Sequence, residues 1–217
     1  MMIQACIFDL DGTLTDTLDS LVFSVCATLN EMGLPGVSKD ECRAFIGNGA
    51  RKLLEESLEA VGDVGHTRIE EAMDIYKRVF DANCTYQVVP YEGVMEILEK
   101  LKRKGIKTAV LSNKPHDQTV KVVREVIGME VVDWAQGQQE HIARKPDPAG
   151  VYAILERFGI EKEECLYIGD SEVDILTGNN AGLRTIGVTW GFRTKAQLKE
   201  AGAENMIEKA EELLYFL

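Results

Sequence analysis

Short apolar runs of strand length alternate with helical periods over most of this chain, and that alternation confines it to a parallel-sheet α/β architecture. The runs are residues 3–8, Lys107-Thr108-Ala109-Val110-Leu111, Glu164-Cys165-Leu166-Tyr167-Ile168 and Arg184-Thr185-Ile186-Gly187-Val188. A weaker one is Glu130-Val131-Val132-Asp133-Trp134. Helical periods over about 92–104, 116–127, 148–158 and 172–181 separate them. The rhythm fails between 16 and 86, which reads as consecutive helices with no strand. Ser38-Lys39-Asp40-Glu41 has the form of a capping box and starts one of these helices, while Gly33-Leu34-Pro35-Gly36 and Gly62-Asp63-Val64-Gly65 punctuate others. A second capping box, Thr194-Lys195-Ala196-Gln197, opens a short helix near the C-terminus. The expected fold is a three-layer α/β core of residues 1–15 and 87–217, with a helical subdomain, 16–86, inserted after the first strand.

Composition narrows the partners. The 217 residues carry a net charge of −12, which argues against nucleic acid and against anionic membrane surfaces. A phosphorylated ligand must then be held by local positive charge and not by the overall field. The five cysteines, Cys6, Cys26, Cys42, Cys84 and Cys165, are scattered, odd in number and free of CxxC pairs. That pattern opposes a disulfide framework or a zinc site and points to a reducing cytoplasm. Residues 3–8 are too short for a signal-peptide core and lack a basic flank. With no apolar stripe declaring itself, the expected state is a monomer.

In a parallel sheet, ligands bind beyond the carboxyl ends of the strands, and four polar clusters fall there or in the adjoining loops. The first is Asp9-Leu10-Asp11-Gly12-Thr13-Leu14-Thr15-Asp16. A carboxylate can attack phosphorus, and a second one nearby can protonate the leaving oxygen and then deprotonate water. Gly12 lets the backbone approach a phosphate closely. An acidic turn used only for its conformation would look similar, but its place directly after an apolar strand, followed by Thr13, favours chemistry.

The second cluster is Leu111-Ser112-Asn113-Lys114-Pro115, where a hydroxyl at a strand end faces a candidate phosphate; it also has the form of a helix cap. The third is Arg144-Lys145-Pro146-Asp147-Pro148, in which Lys145 is a compact cation that can neutralise nucleophile and phosphate, or a solvated surface lysine. The fourth is Gly169-Asp170-Ser171-Glu172-Val173-Asp174. Asp170 and Asp174 share one helical face if a helix starts at 171, with Glu172 pointing elsewhere, and such a carboxylate set suits magnesium or simply caps a helix. Together the clusters supply each element that phosphoryl transfer requires: nucleophile, acid/base, metal ligand and phosphate clamp.

These four clusters, in this order, resemble the four motifs of the haloacid dehalogenase superfamily, and the resemblance spans essentially the whole chain. It implies a Rossmann-like core with a helical cap. It implies Asp9 as nucleophile, Asp11 as general acid/base, and Thr13, Ser112, Asn113 and Lys145 as phosphate binders. It also implies Mg2+ held by Asp9, Asp11 (through its carbonyl), Asp170 and Asp174, the last directly or through water. Phe45-Ile46-Gly47-Asn48-Gly49-Ala50, Ser112-Asn113-Lys114-Pro115 and Gly187-Val188-Thr189-Trp190-Gly191-Phe192 look most like the phosphoglycolate phosphatase group. Thr17 stands where many relatives carry serine. Gly47, Asn48 and Gly49, with Arg51 and Lys52, form the candidate loop for substrate selection, through backbone N–H groups and two cations; a loop before a solvated helix start is the plainer account.

The acid at Asp11 opposes a dehalogenase, which has no oxygen leaving group to protonate. The phosphonate-cleaving and ion-pump relatives carry other residue types there. The expected activity is magnesium-dependent hydrolysis of a small phosphorylated metabolite. Pyrophosphate, nucleotides, sugar phosphates and a sugar phosphomutase reaction stay open as alternatives. A phospho-aspartate receiver switch is the non-enzymatic alternative, although receivers lack both Asp11's role and the helical insertion.

Overall fold

A computed structural model describes residues 2–217. β1 (Ala5–Phe8) is buried at every position and runs down the middle of a six-stranded sheet. Its neighbours in the sheet are distant in the chain: β4 (Lys107–Pro115) on one side and β6 (Cys165–Gly169) on the other, both parallel to it. β5 (Trp134–Gln138) continues one flank, and β7 (Arg184–Val188) and β8 (Asn205–Ile207) continue the other, to give the order β5-β4-β1-β6-β7-β8.

A strand buried on both faces needs apolar residues pointing both ways. Ala5 and Ile7 face one layer, with Ala109, Leu111 and Tyr167 and the α7 (Ala149–Phe158) residues Val151 and Ile154. Cys6 and Phe8 face the other, with Val110, Leu166 and Ile168. There α5 (Val94–Arg103) packs its stripe Val94, Ile97, Leu98 and Leu101, spaced at i, i+3, i+4 and i+7. α6 (His116–Val122), extended by a π-turn over Val123–Ile127, α8 (Glu172–Ala181) and α9 (Lys195–Glu200) complete the layers.

Between β1 and α5 stand α1 (Leu18–Glu31), α2 (Lys39–Phe45), α3 (Ala50–Ala60) and α4 (Ile69–Asn83). The block is tied at its base by a two-stranded antiparallel ribbon, β2 (Thr15–Asp16) with β3 (Val89–Pro90). Both capping boxes form: Ser38 N–H donates to Glu41 Oε2 at 2.8 Å, and Thr194 N–H to Gln197 Oε1 at 2.9 Å.

Two expectations about elements need correction. The strand read at 130–134 is β5, which begins only at Trp134. Val131 and Val132 are buried in a turn fixed by Asp133, whose carboxylate accepts from Thr108 N–H at 2.9 Å, and by Thr108 Oγ1, which donates to Val131 O at 2.7 Å. β4 does not stop at Leu111; it continues through a register shift to Pro115, so Ser112 and Asn113 are extended strand and cap no helix, and Pro115 alone holds the N-cap position of the helix that starts at His116. All five cysteines are free thiols. Among the described residues, no helix is long and apolar enough to cross a membrane.

Candidate active site

The carboxyl ends of β1, β4 and β6 meet at the centre of the sheet, where the chain switches from one flank to the other. Asp9 follows β1 directly, and its N–H donates to Ile168 O of β6 at 2.9 Å. The chain then turns tightly: Leu14 and Thr15 N–H both donate to Leu10 O at 3.0 Å. Gly12 makes this turn at a φ of +90° with its Cα against the Asp170 carboxyl, a place with no room for a side chain.

Asp170 follows β6 and is almost wholly buried. Thr13 Oγ1 donates to its Oδ1 at 3.1 Å, and Phe192 N–H to its Oδ2 at 2.7 Å. Trp190 Nε1 donates to Thr13 O at 3.0 Å, which ties the first turn to the loop after β7.

Lys145 is buried between two carboxylates, donating to Asp9 Oδ1 and Asp174 Oδ1, each at 2.7 Å. Asp174 is not on a shared helical face with Asp170, because α8 begins at Glu172 and Ser171 is its N-cap. Instead Asp174 closes a capping box: its Oδ2 accepts from Ser171 N–H at 3.1 Å and Ser171 Oγ at 2.6 Å. Its Oδ1 accepts from Lys145 and from Tyr167 Oη at 3.3 Å. A carboxylate has about four lone-pair positions, and here four donors take them. This makes Asp174 the anchor that aims Lys145 at Asp9.

The electrostatics of the cluster are strained. Burial, then the Asp174 charge, push the Asp9 carboxyl from 3.8 to about 7, with Lys145 opposing them. Burial, then Asp174 and Asp9, raise Asp170 well above the usual carboxylate range. Burial pulls Lys145 down, but Asp174 and Asp9 outweigh it, so it stays an ammonium. Oxygens of Asp9, Asp170 and Asp174 all lie within 4.8 Å of one another, but those of Asp174 already accept four hydrogen bonds, which leaves Asp9 and Asp170 for direct contact with a cation. Hard oxygens short of positive charge fit a small divalent cation such as magnesium, which takes one or two carboxylates and fills its octahedron with water and phosphate.

Asp9, Asp11, Lys145 and Asp170 line a cavity of about 620 Å³ including its mouth. Ser112 opens onto it and accepts from Lys114 N–H at 3.2 Å, which leaves its own O–H to donate inward. The opposite wall comes from the helical block and is largely apolar: Leu21, Ile46, Leu53, Tyr76 and Phe80.

Several sequence-nominated residues take other places. Thr13 spends its hydroxyl proton on Asp170, not on the cavity. Asn113 spends its amide on the loops: Nδ2 donates to Gly47 O and Lys145 O at 3.1 Å each, and Oδ1 accepts from Lys145 N–H at 3.0 Å. Gly47 and Gly49 do line the cavity, whereas Asn48 shows its carbonyl to Arg144 Nη1 at 3.2 Å. Arg51 and Lys52 are not brought to the site. They lie on the outer surface of α3, where Arg51 pairs with Glu70 and Lys52 with Glu56, a turn away. Glu172 points elsewhere, as expected, onto Arg193.

Three features escaped the sequence reading. Lys114, with a side chain only 2% exposed, donates to Asp11 Oδ1 at 2.9 Å and lies over the Phe80 ring at 4.7 Å. Its signal was its spacing, two residues past Ser112 in an extended segment, where alternate side chains share a face. Arg193 is buried too. It pairs with Glu172 Oε2 at 2.8 Å and donates to Ile46 O at 2.6 Å and Arg43 O at 3.2 Å, which ends α2 against the core. No local pattern marks it, since its partners in the helical block are about 150 residues away. Tyr167 steadies Asp174 from inside β6.

A family profile described as haloacid dehalogenase-like hydrolase matches residues 6–188. The chain belongs to the haloacid dehalogenase-like hydrolases. It is 33% identical over 217 residues to the phosphoglycolate phosphatase of Pasteurella multocida, covering 97% of this chain and 96% of that protein. It is 32% identical over 216 residues to the phosphoglycolate phosphatase of Haemophilus influenzae, covering 97% and 96%. A solved structure from Haemophilus somnus, named as a predicted phosphoglycolate phosphatase, superposes with a TM-score of 0.92 at 25% identity, covering 100% of this chain and 98% of that one. The three-layer fold around the site is therefore that of the family, and the chain is an enzyme of the family's phosphatase branch.

Proposed function

We propose that this enzyme is a magnesium-dependent phosphatase that hydrolyses a small phosphate monoester through an aspartyl-phosphate on Asp9, with a phosphoglycolate-like ester as substrate. The observation that carries the reading is the pairing of two differently furnished carboxylates in one cavity. Asp9 is fixed beside the Lys145 ammonium, and Asp11 sits two residues on, held by Lys114. One carboxylate is equipped to attack and the other to handle protons.

Phosphate oxygens would rest between Ser112 Oγ and Lys145 Nζ. An Asp9 oxygen then forms a bond to phosphorus as the ester oxygen leaves, and Asp11 gives that oxygen its proton. Asp11 next takes a proton from a water that attacks phosphorus, the Asp9–phosphorus bond breaks, and inorganic phosphate departs. Magnesium, held by Asp9 and Asp170 with Asp11's carbonyl, would neutralise the charge of the anions brought together here. Residues 16–86 act as a cap whose apolar wall keeps bulk water out during the first step. The five free thiols agree with a cytoplasmic enzyme.

The test is phosphate release from a panel of small esters, pyrophosphate, nucleotides and sugar phosphates, with magnesium and with chelator, for the wild type and Asp9→Asn. Expected is release that needs magnesium and vanishes in the variant while the fold stays intact. Isomer formation from a sugar phosphate without free phosphate, or release undiminished in Asp9→Asn, would overturn the reading.

A further inference from the structure

The phosphate end of the cavity leaves the leaving group's tail to be explained, and its cations are not equally free. Lys145 is bound by two carboxylates. Arg193 is taken up by Glu172 and by carbonyls of the helical block. Lys114 is the third cation lining the cavity, and it meets one carboxylate, Asp11. An ammonium has three donors, and a buried one is costly unless its charge is matched. The Phe80 ring lies 4.7 Å from the Lys114 ammonium and offers apolar surface in place of a further carboxylate, and Leu21, Leu53 and Tyr76 line the same cavity.

Position adds to valence. In the proposed reaction Asp11 must reach the ester oxygen, and Lys114 Nζ lies 2.9 Å from Asp11 Oδ1. A substituent one or two atoms beyond the ester oxygen therefore arrives at Lys114. The apolar wall closes behind it and favours a short tail.

We propose that Lys114 is the specificity-determining residue of this site and selects phosphate esters whose alcohol carries a carboxylate close to the ester oxygen, the O-phosphorylated short 2-hydroxy acids. The inference rests on the phosphatase reading and names what Arg51 and Lys52 cannot supply from the outer surface. Lys114 donates its remaining N–H groups to the carboxylate, so one ammonium links the substrate's tail to the acid that protonates its ester oxygen.

The experiment compares kcat/KM for phosphoglycolate with that for 2-hydroxyethyl phosphate, which has the same chain and no carboxylate, using wild type, Lys114→Met and Lys114→Arg. Methionine keeps the length of the stem over Phe80, and melting curves check each fold. The wild type is expected to prefer phosphoglycolate, and Lys114→Met to lose roughly 30-fold or more of that ratio, mostly in KM, as for a lost charged hydrogen bond. Lys114→Arg should recover part of the ratio. A wild-type ratio near one overturns the inference and needs no variant. So does Lys114→Met that slows both esters equally, since Lys114 would then serve Asp11 alone. Failure of the wild type to hydrolyse any ester, an aryl phosphate included, removes the phosphatase reading and this inference with it, and is told apart by that panel.

Discussion

Replacing Gly12 by alanine tests whether the site depends on backbone held against the Asp170 carboxyl. An alanine Cβ there would lie 2.7 Å from Asp170 Cγ and 2.8 Å from its Oδ1. Comfortable contacts are about 3.5–4.0 Å, so the carboxyl would have to retreat by about 1 Å. It has little freedom to do so. Thr13 Oγ1 and Phe192 N–H hold its two oxygens, and Gly191 closes against its Cβ. The φ of +90° adds backbone strain of about 1–3 kcal/mol for any residue with a side chain. Overpacking costs a further 1–3 kcal/mol or so. A displacement of about 1 Å in a catalytic array costs on the order of 10²-fold in rate. Gly12→Ala is therefore expected to fold with a lowered melting temperature, to need much more magnesium for half-maximal activity, and to lose about 10²-fold in kcat/KM. The measurements are thermal melts, a magnesium titration by calorimetry and phosphate release. Gly65→Ala serves as control, since its Cβ would meet nothing nearer than Thr67 Cγ2 at 3.4 Å. Retention of a third or more of wild-type kcat/KM with unchanged magnesium affinity would refute the argument.

Asp11→Ala should slow alkyl phosphate esters by about 10²-fold or more and an activated aryl phosphate far less, because only the poor leaving group needs the proton; equal losses on both would remove Asp11 as the acid. Arg193→Met cuts the links to Ile46 and Arg43 carbonyls, with an expected loss of about 2 kcal/mol in urea melts and a raised KM. A cap that stays as protease-resistant around 46–49 as in the wild type would contradict that role. In metal-free protein, Asp9 holds its proton to about pH 7 when folded but only to 3.8 when unfolded. The unfolded chain binds fewer protons between those values, so Asp9 costs stability progressively as pH rises through that window, and the cost levels off above 7. The stability of Asp9→Asn relative to wild type should thus grow from pH 4 to 7, with magnesium stabilising the wild type more at pH 8 than at pH 5; a flat difference would show that Asp9 is not strained.

Much of this protein was legible in the sequence because the information is local. The buried runs 5–8, 165–169 and 184–188 announce parallel strands through their apolar continuity, and the capping boxes at Ser38 and Thr194 announce helix starts through the spacing of one hydroxyl and one carboxylate or amide. Trp134-Ala135-Gln136-Gly137-Gln138 failed that test, since an edge strand with two glutamines has no apolar signature, and the adjacent Val131 and Val132 drew the reading away from it. β8 was missed for the same reason: its three residues are strand only because β7 pairs with them.

The sequence by itself determined the chemistry on offer: Asp9 and Asp11 after one strand, Asp170 after another, and Ser112 and Lys145 within reach of a sheet's carboxyl edge. Tertiary structure alone decided which groups remain available for it. Asp174, Thr13 and Asn113 are polar residues of the expected types, yet each is consumed by a partner far along the chain: Lys145, Asp170 and Gly47. Arg51 and Lys52 have the right charge on the wrong face of α3. Lys114 and Arg193 read as ordinary cations until burial deprives them of water and leaves Asp11 and the end of α2 to satisfy them. Hydrogen-bond valence and desolvation are properties of assembled surroundings, and residue order does not display them.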